Sequence, residues 1–125
     1  MKHSILIVDD ARVMRNIIRN TIIETEKFDL FEAKNGQEAV ERYRENSPDV
    51  VTMDITMDVK NGVEAAEEIL KFDPEAKIIM VTALGQEKLL SKCIDMGIKD
   101  YIMKPFTKDR ILSAIAKALE SNGKS

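Results

Sequence analysis

At 125 residues and 14.1 kDa, the chain has the size of one domain with its own buried core. Its 44% hydrophobic and 33% charged residues are those of an ordinary globular protein, and a net charge of -3 excludes the surplus of Lys and Arg that non-specific nucleic-acid binding needs. No apolar run nears the roughly 20 residues that span a bilayer, Met1-Lys2-His3-Ser4 is too short for a secretory signal, and the lone Cys93 excludes an internal disulfide.

Residues 4–8 read as a strand covered on both faces, because four aliphatic residues in a row leave no polar side. From 12 to 24 the spacing predicts a helix with Met14, Ile17, Ile18, Thr21 and Ile22 on its inner stripe. Leu30–Ala33 is half polar and fits an edge strand. Asn35-Gly36 then leads into a helix carrying Ala39, Val40 and Tyr43 inward. Strand 50–53 follows Pro48, and Asn61-Gly62 opens a helix with Val63, Ala66, Ile69 and Leu70, ended by Asp73-Pro74. Strand 77–81 precedes a helix over 86–96, with Leu89, Leu90, Cys93 and Ile94 on its apolar side and Gly97 as its stop. Strand 100–103 and a helix over 107–120 (Ile111, Leu112, Ile115, Ala118, Leu119) complete the pattern, leaving 121–125 as a polar tail.

Five rounds of strand and helix predict an α/β fold, a parallel sheet covered by helices on both faces. Right-handed crossovers favour the flavodoxin-like, doubly wound order 2-1-3-4-5, with the most apolar runs in the three central positions. Ligands of such sheets bind beyond the carboxyl ends of the strands. There the four runs end in Asp9-Asp10, Asp54, Thr82 and Lys104-Pro105.

Three carboxylates brought together repel one another and call for a cation. Hard oxygen ligands without His or Cys favour Mg²⁺, which uses only one or two carboxylates directly. Asp54 stands alone at the end of the middle strand, whereas Asp9 and Asp10 form a pair suited to metal. Asp54 is therefore the expected nucleophile in aspartyl-phosphate chemistry. Lys104 and Thr82 would face the charge of a transferred phosphoryl group.

Val8-Asp9-Asp10, Met53-Asp54, Thr82-Ala83 and Asp100-Tyr101-Ile102-Met103-Lys104-Pro105-Phe106 resemble, in this order and each at a strand end, the motifs of bacterial response-regulator receiver domains. The resemblance covers essentially the whole chain, with 1–120 as the receiver and 121–125 as the tail. It implies that Asp54 is the phosphoacceptor and that Asp10, Asp54 and the Thr56 backbone carbonyl ligate Mg²⁺, with Asp9 acting through water. Lys104 would contact the phosphoryl group, Thr82 would swing in to bond it, and Tyr101 would pass from exposed to buried. Lys104-Pro105 would be cis. The side chains of Thr56 and Leu84 would tune hydrolysis.

The resemblance also implies partners. A histidine kinase would dock near Val13, Met14, Ile17 and the Pro105-Phe106 loop, and an output protein would dock on the fourth helix, fifth strand and fifth helix. Because the sequence stops after the fifth helix, a stand-alone response regulator is expected; the lone Cys93 and the lack of a secretory signal fit a cytoplasmic protein, and a monomer is expected. It would lack membrane and nucleic-acid partners and enzymatic turnover beyond slow Mg²⁺-dependent autophosphorylation and autodephosphorylation. Its nearest resemblance is to chemotaxis members, whose partner is the flagellar motor switch. The alternative is a phosphorelay intermediate passing phosphate from Asp54 to a His phosphotransfer protein.

Two rivals of other classes fit less well. A flavin module needs a phosphate-cradling loop where this chain has Asp9-Asp10, and a phosphohydrolase needs a cap for which no residues remain. The sequence departs from the family pattern in one loop. Met57-Asp58-Val59-Lys60 stands where receivers usually carry Met-Pro-x-Met. Losing the proline frees the backbone, so a mobile or displaced rim is expected there, with Val59 a candidate to replace the missing methionine contact.

Overall fold

In chain order the elements are β1 (His3–Val8), α1 (Arg12–Ile23), β2 (Phe28–Ala33), α2 (Gly36–Asn46), β3 (Val50–Asp54), α3 (Gly62–Phe72), β4 (Ile78–Thr82), α4 (Glu87–Met96), β5 (Asp100–Met103) and α5 (Lys108–Glu120). They come from a computed structural model that describes residues 2–57, 59–83 and 85–120. The expectations for Asp58, Leu84 and the tail 121–125 lie outside those residues. All strand pairs are parallel and the order is β2-β1-β3-β4-β5, so the flavodoxin-like α/β fold read from the sequence is the one observed. Among the described residues, no helix is long and apolar enough to cross a membrane.

The alternation of side chains along each strand divides the core into two layers. Ile5, Ile7, Val50, Ile79 and Ile102 face α1 and α5, where they meet Ile18, Ile22, Ile111, Ile115 and Ala118. Leu6, Val8, Val51, Met53, Ile78 and Met80 face the other way, against Ala39, Val40 and Tyr43 of α2, Ala66 and Ile69 of α3, and Cys93 of α4. Every residue of β3 and β4 is buried, whereas β2 and β5 are partly exposed edges. Burying each large aliphatic side chain contributes on the order of 1.5–3 kcal/mol. That rigid floor holds the loops at the carboxyl ends of the strands.

Helix starts explain how two of those loops are fixed. Asn35 and Asn61 both cap their helices, accepting from the backbone N–H groups of Glu38 (2.8 Å) and Glu64 (2.9 Å). Glu64 returns the bond to the Asn61 N–H at 3.0 Å, which completes a capping box. Glu64 lies on the exposed side of α3 and closes its first turn from there. The glycine after each asparagine is needed for space. A Cβ on Gly62 would lie 2.1 Å from the Asp54 carbonyl oxygen, and one on Gly36 would lie 2.1 Å from that of Lys60. Gly62 N–H bonds the Ile55 carbonyl at 2.7 Å and Gly36 N–H bonds the Lys60 carbonyl at 2.9 Å. These contacts stitch α2, the rim loop and α3 to the end of β3.

The helical stripes are narrower than the sequence spacing suggests. Ile17, Leu89 and Ile94 point outward, at 46%, 37% and 51% exposure. Ile18 and Ile22 cover the sheet from α1, and Cys93 is the buried residue of α4. Met103 is likewise exposed, because β5 is an edge strand. Gly97 ends α4 in the left-handed region at φ 107°, as its position predicts.

Candidate functional site

The β-sheet delivers the four strand-end motifs to one place. Asp9 follows β1, Asp54 is the last residue of β3, Thr82 the last of β4, and Lys104 follows β5. The parallel pairing brings Asp54 opposite Val81 and Thr82 opposite Met103. Lys104-Pro105 is cis, as expected.

Asp9, Asp10 and Asp54 each present a carboxylate oxygen within 4.8 Å of the others. Asp9 is 1% exposed and Asp54 6%, while Asp10 is open to solvent. Asp9 is set by its surroundings: its Oδ1 accepts from the Ala11 N–H at 2.9 Å, and its backbone carbonyl accepts from Arg15 Nη1 at 2.7 Å. Arg15 is in turn held by Glu32 at 3.0 Å, which also pairs with Arg19 at 2.8 Å. This Arg15–Glu32–Arg19 brace was not foreseen. Its only sequence signal is two basic residues one helical turn apart facing an acid on an edge strand.

Burial raises the Asp54 pKa to about 6, with the Asp9 charge adding to the shift and Lys104 opposing it. Asp9 is also raised, chiefly by burial, against the pull of the Ala11 N–H and Lys104. Lys104 Nζ lies 3.3 Å from Asp54 Oδ1 and 3.6 Å from Asp9 Oδ2. Among the described residues, Asp9 Oδ2 nevertheless accepts no hydrogen bond. An orphaned buried carboxylate oxygen beside two further carboxylates is the environment a hard divalent cation satisfies. With one ammonium among three carboxylates, two negative charges remain, which matches the charge of Mg²⁺. The acidic cluster therefore fits a Mg²⁺ site.

Thr82 Oγ1 is turned toward Gln86, whose Oε1 it reaches at 3.0 Å. The same Oε1 accepts from the Ala83 N–H at 2.7 Å, and Gln86 Nε2 donates to the hydroxyl of Thr56 across the mouth of the site. Gln86 was not singled out from the sequence, because an isolated Gln before a helix carries no signal by itself. Tyr101 is 40% exposed and lines an open groove of about 410 Å³ with Met103, Phe106 and Arg110. Arg110 fixes this edge by donating to the Tyr101 carbonyl at 2.6 Å.

On the rim, Val59 has φ 70° and is 80% exposed, so it does not replace the missing methionine contact. Lys60 is tethered at both ends: its carbonyl bonds Gly36 and its ammonium pairs with Glu68 of α3. Arg44 of α2 approaches the same Glu68 at 3.8 Å. The departure from the family pattern thus exchanges an apolar contact for an ionic link between the loop, α2 and α3.

The family profile described as "Response regulator receiver domain" matches residues 5–116. The chain belongs to the response-regulator receiver family. Among its curated relatives, the receiver is 49% identical to chemotaxis protein CheY of Bacillus subtilis, over 95% of this chain and 99% of that one. It is 44% identical to protein CcdB of the same organism, over 92% of this chain and 96% of that one. Among solved structures it is similar to the CheX-CheY-BeF3-Mg+2 complex from Borrelia burgdorferi, at 35% identity and a TM-score of 0.82, covering 92% of this chain and 87% of that one. Receivers of this CheY-like kind are signalling proteins. The acidic cluster of Asp9, Asp10 and Asp54 fits the Mg²⁺ binding and the phosphorylation site of such a domain.

Proposed function

We propose that this receiver is a response regulator phosphorylated on Asp54 by a histidine kinase, and that it signals in chemotaxis by phosphorylation-dependent binding to an output protein, the flagellar motor switch. The observation that carries the reading is the placement of Asp54. It is a buried carboxylate at the end of the central strand, with Lys104 at 3.3 Å and two further carboxylates within metal-sharing distance. At neutral pH a carboxylate with a pKa of about 6 is mostly ionised and available as a nucleophile.

In the transfer, an Asp54 carboxylate oxygen attacks the phosphorus of a phosphohistidine. The new P–O bond forms as the P–N bond breaks, and the imidazole leaves with the bonding pair and one proton taken from water. Asp10, Asp54 and the Thr56 carbonyl would hold Mg²⁺, with Asp9 linked through water; the ion supplies charge neutralisation for the carboxylates and the phosphoryl oxygens. Lys104 holds its ammonium where the phosphoryl charge arrives. Thr82, at the end of β4, would turn its hydroxyl toward that group, and this turn would leave room for Tyr101 to move inward. A partner reads the change only if it binds the two states unequally.

Similarity to the CheY proteins supports chemotaxis as the output. Borohydride reduction after incubation with Mg²⁺ and acetyl phosphate, followed by peptide mapping, tests the site. Homoserine should appear at Asp54, and homoserine at another Asp would refute the assignment. Phosphorylated protein should then bind a motor-switch protein. Onward transfer to a His phosphotransfer domain would show a phosphorelay instead.

A further inference from the structure

Gln86 joins the end of β4 to the loop after Asp54, and among the described residues its side chain bonds Thr82, Ala83 and Thr56. Its carboxamide orientation follows from chemistry, because the Ala83 N–H can only donate and so fixes Oε1 as the atom facing it at 2.7 Å. The Thr82 hydroxyl lies 3.0 Å from that same Oε1, nearer than its other acceptor, the Ala83 carbonyl at 3.3 Å, and the carboxamide nitrogen donates to Thr56 on the opposite loop. Gln86 is half-buried, one residue before α4.

We propose that Gln86 is a positioning residue that latches the resting state. Its oxygen takes the two donors at the end of β4, the Thr82 hydroxyl and the Ala83 N–H, that a phosphoryl oxygen on Asp54 would otherwise receive. This inference rests on Asp54 as phosphoacceptor. Phosphorylation must then exchange the carboxamide oxygen for a phosphoryl oxygen, and the Thr56 link must open in the same event. Because Gln86 leads directly into α4, releasing it frees the start of that helix. A single side chain thereby couples occupancy of the site to the element beside it. The resting equilibrium is set by a competition between two acceptors rather than by the phosphoryl group alone.

The test uses beryllofluoride, a phosphoryl mimic, titrated in saturating Mg²⁺ against the wild type, Gln86→Ala and Gln86→Glu. Mg²⁺ binding without beryllofluoride, which depends on the three aspartates, reports whether each variant keeps its pocket. Removing a competing acceptor that holds two hydrogen bonds should tighten beryllofluoride binding in Gln86→Ala by about fivefold or more. Gln86→Glu keeps both accepting contacts and strengthens them with charge, so it should bind the mimic more weakly than the wild type. In the wild type the Ala83 amide resonance should shift when beryllofluoride binds, and in Gln86→Ala it should already differ in the free protein. Equal or weaker binding by Gln86→Ala with normal Mg²⁺ affinity would overturn the latch. If that variant does not fold, binding by Gln86→Glu equal to or tighter than wild type overturns it. Absence of beryllofluoride binding by the wild type would overturn the phosphoacceptor reading itself, and the latch with it.

Discussion

The ammonium of Lys104 sits 3.3 Å from Asp54 and 3.6 Å from Asp9, bridging the ends of β3 and β1 from its place after β5. This single positive charge occupies space between two buried carboxylates, and it has opposite effects on two ligands. It repels a divalent cation and attracts a phosphoryl group. Lys104→Met should therefore raise the apparent Mg²⁺ affinity by severalfold while lowering the yield of phosphorylation by about tenfold or more. Metal titration and phosphorylation by acetyl phosphate measure the two effects separately, and a parallel loss of both would contradict the assigned role.

The burial of Asp54 also predicts how the metal-free protein responds to pH. Asp54 has a pKa of about 6 when folded against 3.8 for an ordinary Asp, so between those values the folded state holds a proton that the unfolded chain has released. Stability must then fall as pH rises through that window, by roughly 3 kcal/mol in all at about 1.4 kcal/mol per unit. Asp9 is shifted in the same direction and adds to the effect. Urea unfolding in chelator at pH 5 and pH 7 should show the decline in the wild type and a much smaller one in Asp54→Asn. Identical pH slopes for the two proteins would show that the buried carboxylate is not its source.

Gly62 offers a steric test. A methyl group there would lie 2.1 Å from the Asp54 carbonyl oxygen, which is backbone and cannot turn aside. Gly62→Ala should cost about 3 kcal/mol or more, at the upper end of overpacking effects. It should also weaken Mg²⁺ binding, because the end of β3 must move. Chemical denaturation with a parallel metal titration reads both, and wild-type behaviour in each would refute the close approach.

The capping box makes a smaller prediction. Asn61→Ala removes the acceptor for the Glu64 N–H at 2.9 Å and should cost about 1 kcal/mol. Asn61→Asp, which still accepts, should recover most of it. Thermal unfolding of the pair distinguishes a lost cap from a disturbed loop, since a disturbed loop would not be rescued by aspartate.

Much of this organisation is legible in the sequence because strand burial and strand-end chemistry are local. The apolar runs ending in Asp9, Asp54, Thr82 and Lys104 define both the sheet and the pocket. The rest depends on distances between residues remote in the chain. Nothing in the spacing says that Gly36 and Gly62 are required by carbonyl oxygens of Lys60 and Asp54, or that Arg15 braces Asp9 through its backbone. Gln86 is invisible for a related reason: it links the end of β4 just before it to Thr56, which is remote in the chain and lies in the loop after β3. Helical spacing placed Ile17, Leu89 and Ile94 inward because periodicity records a stripe and not its width. Their exposure on α1 and α4 leaves apolar surface on helices where partners were expected to dock.

The central claim is that Asp54 accepts a phosphoryl group within this acidic cluster. Intact-mass measurement after incubation with Mg²⁺ and acetyl phosphate tests it directly. The wild type should gain the mass of one phosphoryl group, lose it again on standing, and fail to gain it in chelator, while Asp54→Asn should gain none. An unmodified wild type, or an Asp54→Asn protein modified to the same extent, would contradict the account.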